Sequence, residues 1–295
     1  MKKIFLFFAI FLIIPSVLII PSVLADITIL TEQDKYNLGN RIRASASVVY
    51  EADFDGLFKL TMACNDYQLQ YYTTPVSLEA NSRTAVDVPE LAATSSMLGS
   101  CMLTGVLTTN SNLLIEEKSS NSFEVTHQLK VLPVNSHITA LPSESIKVAG
   151  VVNEAFDNNL LKADVKVTLD NSTYQTEAID GKFDVLVELS KGIKSGKHSV
   201  EITASDSKNN MGTGSIELEI TPVEKYLKLE LSEYNIEPGK KIGITSSLYD
   251  QADDLINASL GLEMIYEDDE KIFIKTVQSN EKIEYEFSQY AEPGI

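Results

Sequence analysis

Apolar and polar residues alternate through most of the chain, and this alternation limits the fold more than any other feature. Val165, Val167 and Leu169 fall two apart. So do Phe183, Val185, Val187 and Leu189, then Val200, Ile202 and Ala204, then Ile216, Leu218 and Ile220. A period of two puts each set on one face of a strand, the pattern of half-buried antiparallel sheet. After the first 25 residues no long stretch carries the 3.6-residue spacing of an amphipathic helix. The expected fold class is therefore all-β. Asp180-Gly181 tolerates positive φ and predicts a tight hairpin joining strands over 174–178 and 183–189.

The strand pattern itself recurs. YNLGNRIRASASVVY (36–50), ALPSESIKVAGVV (140–152) and YNIEPGKKIGITSSLY (234–249) place Leu38-Gly39, Pro142-Ser143 and Pro238-Gly239 in register, each followed by Ile42, Ile146 or Ile242. The spacings are 104 and 96 residues. LLKADVKVTL (160–169) likewise matches LINASLGLEM (255–264), with Ala163 over Ala258. A period near 100 residues is one β-sandwich per repeat. The register predicts three sandwiches, at 26–127, 128–222 and 223–295. The joins VLPV (131–134) and TPVE (221–224) are short and carry proline, which favours a semi-rigid rod.

The second repeat has the most telling residues. They are Gly150, the Asp180-Gly181-Lys182-Phe183 turn, Gly196-Lys197-His198, and Ala204-Ser205-Asp206 followed by Asn209-Asn210. In this pattern the chain resembles the immunoglobulin-like repeats of bacterial and archaeal surface proteins. The resemblance covers the second repeat well, the third in part, and the first only at its opening strands. It implies tandem Ig-like sandwiches acting as spacers, adhesins or accessory modules, and no single function.

Lys2 and Lys3 precede an uncharged run of 22 residues, 4–25, that ends in Val23-Leu24-Ala25. This is the layout of an export signal cut between Ala25 and Asp26. The run is long because IIPSVL occurs twice, at 13–18 and 19–24. A retained N-terminal anchor is the alternative, and either reading puts the remainder outside the cytoplasm. At the other end, VELSKGIKSGKH in the second repeat aligns with YEFSQYAEPGI in the third, 98 residues on. The register reaches Ile295 before any counterpart of HSVEITA and GSIELEI appears. The expectation is that two more strands follow, with a membrane anchor or further repeats beyond them, or that a partner donates the strands.

Chemistry is sparse. The chain carries 24 Lys and Arg against 42 Asp and Glu, a formal charge of −18, which argues against nucleic acid as a partner. Cys64 and Cys101 are expected to form a disulfide, placed to join the two sheets of one sandwich. His127, His137 and His198 have no neighbours suggesting a triad or metal set. Calcium is the metal the acidic loops suggest, through Asp53 and Asp55 before a Gly56 turn, 250–254 (DQADD) or 267–270 (EDDE), although solvated turns are the plainer reading. Tyr67, Tyr71 and Tyr72 are candidates for an aromatic platform, against ordinary sheet packing. Asn171 and Asn257 open N-glycosylation sequons. The combined reading is an exported, non-catalytic spacer or adhesion-type scaffold of the surface or medium, needing no cofactor. Its partner would be an extracellular protein or glycan. The alternatives are the accessory portion of a larger exported hydrolase, and a carbohydrate- or peptide-binding module.

Overall fold

The structure, a computed structural model, describes residues 25–156, 162–265 and 271–290. Residues 1–24, all but the last of those expected to form an export signal, lie outside the described residues, as do the acidic run 267–270 and the last five residues. Contacts divide the chain into two compact units.

The first unit holds residues 25–36 and 40–125. Its strands, with the two that cross its boundary, are β1 (Ala25–Thr31), β2 (Lys35–Asn37), β3 (Arg41–Ile42), β4 (Ala44–Tyr50), β5 (Phe54–Cys64), β6 (Tyr67–Leu78), β7 (Arg83–Val86), β8 (Leu91–Ala92), β9 (Gly99–Thr109), β10 (Leu114–Ser119) and β11 (Phe123–Thr126). One sheet runs β1-β4-β7, and the other β2-β11-β9-β5-β6 with β10 also on β9. The alternation of β5 is kept, with Phe58, Leu60, Met62 and Cys64 all buried. They meet Leu103 and Leu107 of β9 and Ile27, Ile29 and Val48 of the first sheet in a buried apolar interior. Gly105 is required by this closeness, because a Cβ there would lie 2.7 Å from the Ile29 Cδ1 methyl. Strand β6 closes one edge of the larger sheet. A bulge opposite Leu60–Thr61 and a proline at 75 break its ladder, as exposed edges commonly are.

The second unit holds 37–39 and 126–295. Its first strand set is β12 (Leu129–Pro133), β13 (His137–Ala140), β14 (Ser145–Glu154), β15 (Ala163–Leu169), β16 (Ser172–Ala178), β17 (Lys182–Glu188), β18 (Gly196–Ser205) and β19 (Met211–Ile220). The sheets run β12-β14-β17 and β13-β19-β18-β15-β16, and the inward apolar positions of all eight strands, Ala140 of β13 and Ala178 of β16 among them, meet in one core. The hairpin expected around Asp180-Gly181 is corrected. The tight turn exists, with Asp180 and Gly181 both at positive φ and Ile179 and Lys182 exchanging backbone bonds of 2.9 and 3.0 Å. That single rung is the whole hairpin, since β16 then pairs with β15 and β17 with β14, in opposite sheets. The turn carries the chain across the sandwich. The real hairpin of this region is β15–β16, turned by Asp170-Asn171.

The second strand set is β20 (Glu224–Leu231), β21 (Lys241–Asp250), β22 (Ser259–Ile265), β23 (Lys271–Gln278) and β24 (Lys282–Glu286). Sheet β20-β21-β24 repeats the order β12-β14-β17, and the rung Lys241↔Glu286 repeats Ser145↔Glu188. The facing sheet has two strands, β22-β23, among the described residues. The molecule is all-β, built of tandem Ig-like sandwiches, and its one described helix is a single 3-10 turn, Ser95–Met97.

Candidate functional site

Cys64 and Cys101 are bonded. They do not join the two sheets, as their inward alternation suggested. They face each other as direct partners on neighbouring strands β5 and β9 of one sheet. Alternation fixes the face of a side chain and leaves its neighbour open; here the antiparallel register aligns the two cysteines, with Cα atoms 4.1 Å apart.

Asp53 and Asp55 do not precede a glycine turn. Gly56 lies inside β5, where a Cβ would meet the Phe54 ring at 2.5 Å and the Thr108 carbonyl oxygen at 2.3 Å. Both carboxylates brace the β5–β6 pair. Asp53 accepts the Ala80 N–H at 2.8 Å and Asp55 accepts the Ser77 hydroxyl at 2.6 Å. Among the described residues no three His, Cys, Asp or Glu side chains are grouped to hold a metal ion.

The three tyrosines of β6 do not form one exposed row. Tyr67 pairs with Cys64 and Tyr72 with Leu60, so both lie on the inward face at the sheet edge. Tyr71 is the bulged residue between them, half-buried, and burial pushes its phenol up to about 12. A phenol near 10 in the unfolded chain favours unfolding once ionised. The first unit should therefore keep this contribution below pH 10 and lose it as pH rises toward about 12. Tyr71→Phe should remove that alkaline loss and one late step from the ultraviolet phenolate titration. A titration unchanged by the substitution would reject the assignment.

Two of the three histidines, His137 and His198, lie beside carboxylates. His127 lies just past β11, exposed, and its carbonyl accepts the Met211 N–H at 2.7 Å. His137 lies beside Glu217 and Glu219 at 3.3 and 3.6 Å. His198 meets Asp170 at 3.3 Å and the Lys194 carbonyl at 2.9 Å. Asn171 and Asn257 are both exposed, Asn171 in the β15–β16 turn. Ala25 opens β1, buried and paired with Tyr50, and Asp26 is exposed beside it.

The least expected polar sites lie inside the second unit. Asp250 ends β21 and is only 2% exposed. One of its carboxylate oxygens accepts the N–H groups of Ala252 and Asp254, both at 2.9 Å. The other accepts the Ser195 hydroxyl, carried by the loop before β18. Burial works to raise this carboxyl, but the bonds from Ser195, Asp254 and Ala252 outweigh it and hold the group below the usual aspartate value. Gln251 donates to the Ile193 carbonyl at 2.7 Å and accepts the Val223 N–H at 2.9 Å. Lys194–Asp254 and Lys225–Asp253 flank the cluster. The loop read as acidic in the sequence thus fastens the two strand sets together. A second closed turn uses Asp206, which accepts the Lys208 and Asn210 N–H groups, and buried Asn210 exchanges two 3.1 Å bonds with the Leu38 backbone.

No protein-family model matches the chain, and no curated protein matches it. Solved structures do align. A tetra-tandem repeat from the extending region of a large adhesion protein is 13% identical over 90% of this chain and 66% of its own length, with a TM-score of 0.37. A bacterial ice-binding adhesin is 14% identical over 89% and 87%, at 0.27. Tandem Ig domains of titin are 9% identical over 67% and 96%, at 0.25. This chain spans just under two thirds of the first of these. Scores this low carry no functional argument, and the fold stands on the strand pairing described above.

Proposed function

We propose that this chain is a non-catalytic spacer segment of an exported, adhesion-type surface protein, made of three sandwiches bounded near 127/128 and 222/223. The observation that carries the reading is the fastening between the second and third strand sets. A flexible string of beads needs no buried carboxylate at a join. Here Asp250, Gln251, Ser195 and the Ile193 carbonyl form a closed network beside a proline-bearing connector, Thr221-Pro222-Val223. Ordered side chains on both sides of a short join resist bending, which suits a part that holds something at a distance. The acidic surface suits solubility outside the cell.

Spin labels at Lys166→Cys and Thr276→Cys, both exposed, read this directly. A single narrow distance distribution is expected, and a broad one typical of a free linker would reject the spacer reading. Measured hydrolase activity in the purified chain would reject its non-catalytic part.

A further inference from the structure

We propose that the turn between β9 and β10 is a membrane-contacting tip, which seats Leu113 and Leu114 at the surface of the bilayer that holds the N-terminal apolar run. The inference rests on the exported-surface reading, with the run kept as an anchor. Leu113 and Leu114 are adjacent and 66% and 55% exposed, at a place where turns commonly carry small polar residues. The turn that presents them is firmly closed. The Thr109 N–H donates to the Leu113 carbonyl at 2.9 Å, and the Thr109 hydroxyl accepts the Leu113 N–H at 3.1 Å. Asn112 takes the positive φ of the turn, and its side-chain oxygen accepts the Lys59 ammonium at 2.8 Å.

This tip lies at the end of the first unit where the chain enters. Ala25 opens β1 and pairs with Tyr50. The Tyr50 ring lies 5.0 Å from that of Phe54, which opens β5, and Gly56 of β5 pairs with Thr109 at the base of the tip. Chain length then fixes the distance to a bilayer. Of the 22 uncharged residues at 4–25, Ala25 already belongs to β1, which leaves 21. Crossing a hydrocarbon core takes about 20 residues, so a retained run has none to spare as a spacer. The entry end of the unit must then stand at headgroup level, and the leucines with it. Lys2 and Lys3 before the run suit the orientation that puts the strands outside. Exposed Glu51, Asp53 and Glu79 border the same end, so the surface that fits is zwitterionic and not anionic.

The test uses the whole chain, reconstituted into phosphatidylcholine vesicles. The sequence has no tryptophan, so Leu114→Trp gives a single reporter. Its emission should shift to the blue and be quenched by brominated lipid. Ser100→Trp, exposed at the far end of β9 and about 30 Å away, should show neither effect. Adding Leu113→Glu to Leu114→Trp should move the emission back to the red and relieve most of the quenching, as should a rising share of anionic lipid. The proposal is overturned if brominated lipid leaves the Leu114→Trp emission unchanged, if Ser100→Trp is quenched equally, or if quenching is strongest on anionic vesicles. A chain that alkaline carbonate washes off the vesicles overturns the anchor and the tip together, and leaves the spin-label test of the spacer untouched.

Discussion

Removing the Cys64–Cys101 bond should lower the stability of the first unit by about 4 kcal/mol, the chain-entropy value for a loop of this length. The two residues are 37 apart in sequence. The strands they join, β5 and β9, are already paired along their length, from Gly56↔Thr109 to Cys64↔Cys101. The bond therefore adds few native contacts of its own, and it acts mainly by restricting the unfolded chain. A paired alanine variant, Cys64→Ala with Cys101→Ala, avoids leaving one thiol buried alone. Its unfolding free energy, from urea denaturation followed by a probe in the first unit, should fall by that amount out of a typical total of about 5–15 kcal/mol. The second unit should be unchanged. Both sulfurs are almost fully buried, so reductant should cleave the bond only as fast as the unit opens. Rapid reduction under native conditions, or a loss below about 1 kcal/mol, would contradict this account.

The strands were legible because each has one buried face, so burial imposes period two on the sequence. Val200, Ile202 and Ala204 opposite Ile216, Leu218 and Ile220 is the plainest case. Partners were less legible. Asp180-Gly181 specifies a tight turn, but a turn of two residues does not say which sheet receives the next strand. Phe183 and Val187 face the same core from either sheet. The cysteines pose the same problem: inward alternation is identical for a bond across the core and one between adjacent strands.

The polar network of the second unit was hidden for another reason. DQADD reads as a solvated acidic loop from composition alone. Its buried member is set by Ser195, 55 residues away, and by packing that no local window contains. Asp206 and Asn210 carried more signal, since an Asp before a turn commonly caps following N–H groups. Burial of Asn210 against Leu38 was invisible, because that contact spans 172 residues.

Asp250→Ala should destabilise the β20–β24 sandwich by about 3 kcal/mol, within the range for removing a buried charged acceptor. Three donors lose their partner at once: the Ala252 and Asp254 amides and the Ser195 hydroxyl. Its buried cluster, Ile242, Ile244, Val277 and Ile283, is much smaller than its neighbour's, so a loss of that size should leave this sandwich partly unfolded before its neighbour melts. Asp250→Asn keeps one carbonyl oxygen for the two amides and should cost much less. Ser195→Ala separates the two roles of Asp250. It leaves the turn intact and removes Asp250's own bond to the preceding sandwich while the Gln251–Ile193 bond remains, so the spin-label distribution should broaden in part with little change in melting. Acid gives an independent reading. The folded carboxyl lies below its unfolded value near 3.9, so its contribution is complete above about pH 4 and fades as pH falls through the folded value. The wild-type sandwich should therefore weaken below about pH 4, and Asp250→Asn should flatten that dependence. Equal acid sensitivity in the two proteins would place the titrating group elsewhere and remove Asp250 as the fastening charge.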